Sequence, residues 1–187
     1  MRLLQVFAFL AITTLFIGAV PPPDNSSPDS VNVQDSIVVE MSHIDDIGLV
    51  IVWNGDGAET VSKCEWSGGN HGYDKKNISN YLTKGTNYIM FVLYNKVYQG
   101  GLFFAGGKWS YDFALYKNGS SIWSKSGYRR ENDAEVKYWK VIKADVSSSG
   151  KVSLTDSIRK KELKILREGL GEVERKLYNG TGVATPF

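Results

Sequence analysis

The sequence predicts an all-β domain, a two-layer antiparallel β-sandwich with a C-terminal amphipathic helix. Three observations carry this. Between residues 31 and 152, short apolar or period-two runs alternate with clusters of Gly, Asn, Asp and Ser, as strands joined by turns do. Beyond Leu154 the hydrophobic spacing changes to threes and fours, the period of a helix with one apolar face. The chain has 187 residues, 42% of them hydrophobic, enough to bury one ordinary core but hardly two, so the strands belong to one domain.

The first segment stands apart. Arg2 provides a basic start, Leu3–Ile17 is apolar apart from Gln5 and two threonines, and Gly18-Ala19 precede Val20 and Pro21-Pro22-Pro23. Residues 1–19 therefore read as a cleaved secretory signal rather than a membrane anchor, because the apolar run is short for a full span. Residues 20–30 are rich in Pro, Ser and Asp without a hydrophobic period and read as a disordered leader.

The sandwich occupies residues 31–152. Ile37–Met41 is a short strand, and Ile47–Trp53 is apolar on both faces, which predicts a central strand. Thr60–Trp66 alternates, placing Thr60, Ser62, Cys64 and Trp66 on one face, so it is expected to be half-buried with Trp66 turned inward. Thr86–Tyr94 carries hydrophobics on both faces and Gly101–Ala105 is a short glycine-bounded strand. Trp109, Tyr111, Phe113 and Leu115 alternate into Asn118-Gly119, then Ile122 and Trp123, a hairpin with a type I′-compatible turn. Glu135–Val146 places Val136, Tyr138 and Ile142 on one face and Trp139 and Val141 on the other, among lysines that predict an edge or solvent-facing strand. About eight such strands make a sandwich of jelly-roll type. Ser147-Ser148-Ser149-Gly150 is a turn.

Residues 153–180 form the helical region and 181–187 a tail. Leu163, Leu166, Leu170, Val173 and Leu177 make the apolar stripe of a helix over Asp156–Tyr178, capped by Thr155 or Asp156. Gly169 and Gly171 weaken it. The stripe is expected to dock on the sandwich, since so short a coiled coil is marginal alone.

Charge and composition exclude several functions. Removing the signal takes only Arg2 from 22 basic residues, against 20 acidic ones, so nothing favours nucleic acid. The lone cysteine, Cys64, forms no intrachain disulfide and reads as a small buried hydrophobe. No nucleophile elbow, zinc-protease helix, Cys-x-x-Cys pair or phosphate-cradling loop is present, and only two histidines, His43 and His71, are available as bases. The enzymatic reading that survives is a small glycosidase built on two of Asp45, Asp46, Asp56, Asp74 and Asp112, although turns select aspartate in any case. Asp45, Asp46 and Asp74 supply oxygens for a structural calcium but follow no calcium-loop motif, so no cofactor is expected. Asn25, Asn77, Asn118 and Asn179 open glycosylation sequons among turn residues.

Aromatic usage points to binding. The chain has five tryptophans and ten tyrosines, several at predicted strand ends: Trp66, His71 and Tyr73 around Gly68-Gly69-Asn70, Tyr98-Gln99 before Gly100-Gly101, Trp109 after Gly106-Gly107-Lys108, and Tyr128 before Arg129. A sugar offers one C–H face and a rim of hydroxyls, and is held by a flat ring plus amide, carboxylate or guanidinium groups. Trp66 and Trp109 fall in phase with inward positions and Tyr73 reads as structural, leaving Asn70, His71, Tyr98, Gln99 and Arg129 as the candidate ligand contacts.

The run Leu49–Gly55, then Gly72-Tyr73-Asp74, then Ile78-Ser79-Asn80-Tyr81-Leu82-Thr83-Lys84-Gly85-Thr86-Asn87-Tyr88-Ile89 resembles the galactose-binding-domain-like jelly rolls. The continuation Gly100–Phe104 and Trp109–Leu115 is also similar to that family's glycine-rich strand and the hydrophobic strand after it. The resemblance implies a jelly-roll sandwich; its corner follows from packing, with Tyr81 and Leu82 plugging the end, Gly85 allowing a positive φ and Asn87 satisfying turn carbonyls. It also implies an accessory module of the carbohydrate-binding kind. The family has no universal binding residue to carry over.

The expectation is a secreted, non-enzymatic, lectin-like module for a glycan or glycoprotein, with no nucleic acid, no membrane span after signal cleavage, and self-association through the helix allowed. The alternatives are a secreted interaction or structural protein using the C-terminal helix, and the glycosidase.

Overall fold

A computed structural model of the protein describes residues 32–54, 57–67, 69–95, 108–130 and 135–181. Nine strands and one α-helix run through them: β1 Ile37–Ile44, β2 Ile47–Trp53, β3 Ala58–Glu65, β4 Gly72–Asn77, β5 Gly85–Asn95, β6 Lys108–Lys117, β7 Ser120–Arg130, β8 Glu135–Val146, β9 Val152–Thr155 and α1 Lys160–Thr181. They form the expected two-layer antiparallel sandwich with a C-terminal helix. One sheet has the order β4-β1-β6-β7, the other β3-β2-β5-β8-β9.

Hydrophobic patterning explains the layering. In β2 and β5, Val50, Val52, Ile89, Phe91 and Leu93 enter the core between the sheets, where Phe91 lies 5.5 Å from Phe113. Ile47, Leu49, Ile51, Met90 and Val92 point the other way and pack against Leu166 and Leu170 of α1. A strand covered on both faces needs apolar residues at every position, which is why these two runs do not alternate. Each such side chain contributes on the order of 2 kcal/mol when buried.

The corner predicted from Ser79 to Asn87 closes one end. Leu82 is in the core and Tyr81 packs against it. Gly85 turns at φ +95°, a region closed to most side chains. The buried Asn87 amide donates to the carbonyls of Thr83 (2.7 Å) and Gly85 (3.1 Å) and accepts from the Thr83 N–H (2.9 Å). Ser79 accepts from the Ile37 N–H (2.9 Å) and donates to the Asp35 carbonyl (3.0 Å). The β6–β7 turn is left-handed at Asn118 (φ 51°) and Gly119 (φ 80°), as a type I′ hairpin requires.

That turn is tied to the entry of the domain. Asp35 accepts hydrogen bonds from the Val152 N–H (2.7 Å) and the Asn118 amide (2.7 Å), with the Lys117 ammonium 3.2 Å away. These donors, led by the backbone N–H of Val152, hold its carboxyl down to about 2.

Several expectations are corrected. Trp66 keeps the phase of the buried Ser62 and Cys64 but lies beyond the end of β3 and is 44% exposed, while a bulge opposite Val50/Ile51 turns Val61 inward and leaves Thr60 exposed. Tyr73, read as structural, is 60% exposed on the edge strand β4. Val136 sits with Trp139 and Val141 on the helix side, not with Tyr138, because a bulge opposite Leu93/Tyr94 flips the alternation. The strand β8 is bordered by β9 over Lys143–Val146, and β9 itself, missed in the sequence, carries the sandwich to Thr155 and brings the described strands to nine. Pairing of β9 delays the helix, whose cap position is Arg159: Glu162 reaches back to the Arg159 N–H (2.9 Å) and to its guanidinium (2.6 Å). The strand expected at Gly101–Ala105 lies outside the described residues, as do the signal and leader.

Candidate functional site

The outward face of the four-stranded sheet is polar. It carries a shallow groove of about 500 Å³ walled by His43, His71, Ser110, Asp112, Ser126 and Tyr128, with Tyr111 and Gly127 beneath. It is built by a bulge. Along β1, Ile37, Val39 and Met41 are buried, so simple alternation would bury His43; an extra residue between Met41 and Ile44 instead sends Ile44 into the core and His43 outward, with its backbone at φ 51°. Bulges re-aim side chains in this way at functional rims.

The bulge is fastened from β6. The Ser110 hydroxyl donates to the His43 carbonyl (2.6 Å) and the Asp45 N–H to the Ser110 carbonyl (3.1 Å). His43 Nδ1 lies 2.6 Å from Asp112 Oδ2, so the imidazole and the carboxylate orient each other at the wall of the groove. The His71 ring centroid is 6.0 Å from that of His43. Across the strands Asp112 is opposite Ser126 and Ser110 opposite Tyr128, and the Tyr128 ring is 58% exposed. The floor is rigid: Tyr111 stacks on Tyr138 at 4.6 Å, and burial pushes the Tyr111 phenol up and that of Tyr138 to about 12. A carboxylate, two imidazoles, two hydroxyls and a flat ring thus converge on one shallow groove, able to accept and donate hydrogen bonds and to stack.

Of the residues picked from the sequence, His71 lines this groove. Asn70, its exposed neighbour, is held through its backbone, which exchanges hydrogen bonds with Ser67 (3.0 and 3.1 Å). Arg129 is exposed but pairs with Trp109 in register, on the side of β7 away from Tyr128. Tyr98 and Gln99 lie outside the described residues. Trp109 is buried, as its phase implied. Asp112 and His43 were visible only as a carboxylate among many and one of two histidines; the readable signal was the polar pair Ser110 and Asp112 alternating with the buried aromatics Trp109, Tyr111 and Phe113.

The other candidates scatter. Asp74 accepts a hydrogen bond from Ser62, away from the Asp112 groove, and Asp56 lies outside the described residues. Among the described residues no three His, Cys, Asp or Glu side chains are grouped to hold a metal ion, and no helix is long and apolar enough to cross a membrane. Asn77 is exposed at the end of β4, its amide donating to Ser36 (3.2 Å); the amide of Asn118 is engaged by Asp35; Asn179 lies in α1 rather than in a turn; and Asn25 is outside the described residues. A larger groove, about 850 Å³, opens at the opposite pole between Lys117, Ile122, Ser147 and Lys151, but Lys117 is committed there to Asp35 and to the Val152 carbonyl. Compared with known proteins, the chain matches no family model, no curated sequence and no solved structure.

Proposed function

We propose that the protein is a secreted, non-enzymatic glycan-binding module and that the groove over β1, β6 and β7 is its ligand site. The observation that carries this reading is the exposed Tyr128 ring set beside a carboxylate, Asp112, whose direction is fixed by His43. A sugar's C–H face stacks on such a ring while its hydroxyls meet the carboxylate and the imidazole nitrogens of His43 and His71. The resemblance to galactose-binding-domain-like jelly rolls supports the same ligand class.

Two features support binding over turnover or helix-mediated assembly. Of the aspartates a glycosidase would draw on, Asp112 lines the groove, while Asp74 turns away to Ser62. Leu166 and Leu170 of the stripe assigned to a partner in the alternative reading are buried on the protein's own sheet. A glycan array probed with the purified mature chain tests the reading, with and without chelator. Retained signals that vanish in Asp112→Ala and Tyr128→Ala, with unchanged far-UV circular dichroism, support it. Silence of the folded wild-type chain across the array overturns it.

A further inference from the structure

The groove does not end at its own walls. Ser42 of β1 is opposite Asp112 of β6, and Asp112 is opposite Ser126 of β7, so small polar side chains run in a row perpendicular to the strands. On the far side of β1, Tyr73 lies beside the bulged Ser42-His43 pair, between the partners Met41–Asp74 and Ile44–Gly72. Tyr73 alternates with Asp74, which turns to Ser62 of β3, and shares its face with Lys75, which bonds Glu40 at 2.9 Å and lies 5.1 Å above the Tyr116 ring. Tyr73 therefore stands on the outer face at one edge of the sheet and Tyr128 at the other, both rings more than half exposed.

The row favours no anion: Asp112 is itself a carboxylate, facing His43, and Lys75, raised in pKa chiefly by its hydrogen bond to Glu40, is neutralised by it. Three strand spacings separate the two tyrosine-bearing strands, a span of about 14 Å and on the order of two to three hexose rings end to end. A single sugar covers one tyrosine and leaves the other bare.

We propose that the ligand is a linear, uncharged glycan chain lying across the four strands, with Tyr73 forming a second ring-stacking subsite at the β4 edge. This rests on the glycan-binding reading of the groove and adds to it the polymeric, neutral character of the ligand and the direction in which it lies. A chain that threads the row stacks one ring on Tyr128, hydrogen-bonds its middle to Asp112, Ser126 and Ser42, and reaches Tyr73 with its next ring.

Titration calorimetry on the mature chain tests this, with single sugars, trimers and hexamers of β-1,4-linked glucose, xylose, mannose and galactose as probes, together with trimers of galacturonic acid. The expected result is an affinity about tenfold higher for a neutral trimer than for its single sugar, with little further gain to the hexamer. Tyr73→Ala brings the trimer down to the level of the single sugar and leaves single-sugar binding unchanged, whereas Tyr128→Ala lowers both. Tyr73 is exposed on an edge strand, and an unaltered thermal transition verifies that its variant is folded. Equal affinity for single sugars and trimers, a Tyr73→Ala variant indistinguishable from wild type, or preference for the acidic trimer overturns the proposal while the groove remains a sugar site. Absence of binding to every probe, with silence on the array, removes the glycan reading itself.

Discussion

Gly169 of α1 rests against the indole of Trp53 at the end of β2, so closely that a Cβ at position 169 would lie 2.6 Å from Cζ3 of the ring. In the sequence this glycine looks like a flaw in a helix; in the fold it is where the helix approaches the sheet. Alanine there gains about 1 kcal/mol of helix propensity but forces the indole or the helix to move, at a cost of about 1–3 kcal/mol. Gly169→Ala is therefore expected to lower stability in urea denaturation, whereas Gly171→Ala, whose Cβ would meet nothing within 4 Å, is expected to raise it by about 0.5–1 kcal/mol.

Asn87→Ala should be costly. The side chain is fully buried and serves the Thr83 N–H and the Thr83 and Gly85 carbonyls. Removing it strands several backbone groups without replacement partners, for a loss on the order of 3 kcal/mol. The denaturation midpoint measures this, and Leu82, at the same corner, should lose its hydrogen-exchange protection first.

Acid should loosen the fold at two carboxylates. Asp35 is held at about 2 against an ordinary 3.8, so the unfolded chain takes up the proton first; the stabilisation is complete above the ordinary value and is lost as the pH falls through about 2. Glu162 behaves alike: the hydrogen bonds from the Arg159 guanidinium and N–H bring it to about 2. Asp35→Asn should flatten the decline in stability between about pH 5 and about pH 2 in part, with the share of Glu162 remaining. A decline identical to that of wild type counts against the Asp35 tie.

Cys64 should be inert in the native state. It is buried, and burial, followed by the charges of Asp74 and Glu65, pushes its thiol up to about 12. The thiolate is the reactive form, so labelling by iodoacetamide at neutral pH is expected to be slow in the folded protein and fast in denaturant, followed by mass spectrometry.

The fold was legible where one period held over a whole strand. Ile47–Trp53 announced a strand covered on both faces, and Asn118-Gly119 announced its turn, because composition and backbone demand coincide there. Val136 and His43 were misplaced or missed for one shared reason: each lies at or beside a bulge, and a single extra residue reverses the face of what lies on its far side, whereas Trp66 falls just past the end of β3, where the alternation that buries Ser62 and Cys64 stops. The short strand β9 was hidden because Val152–Thr155 is too brief to show alternation. At the site, His71 was readable as an exposed ring beside a turn, whereas its partners His43 and Asp112 are 69 residues apart and meet only through the pairing of β1 with β6.

The clasp around Asp35 fixes where a tether meets the domain. The chain enters β1 beside Lys117 and Asn118, while His43 and Asp112 lie at the other end of the same strand pair. A surface, bead or fusion partner joined upstream of residue 32 consequently attaches at the pole away from the groove. Immobilising the protein by that end leaves the candidate groove at the far end of the strand pair, clear of the attachment point.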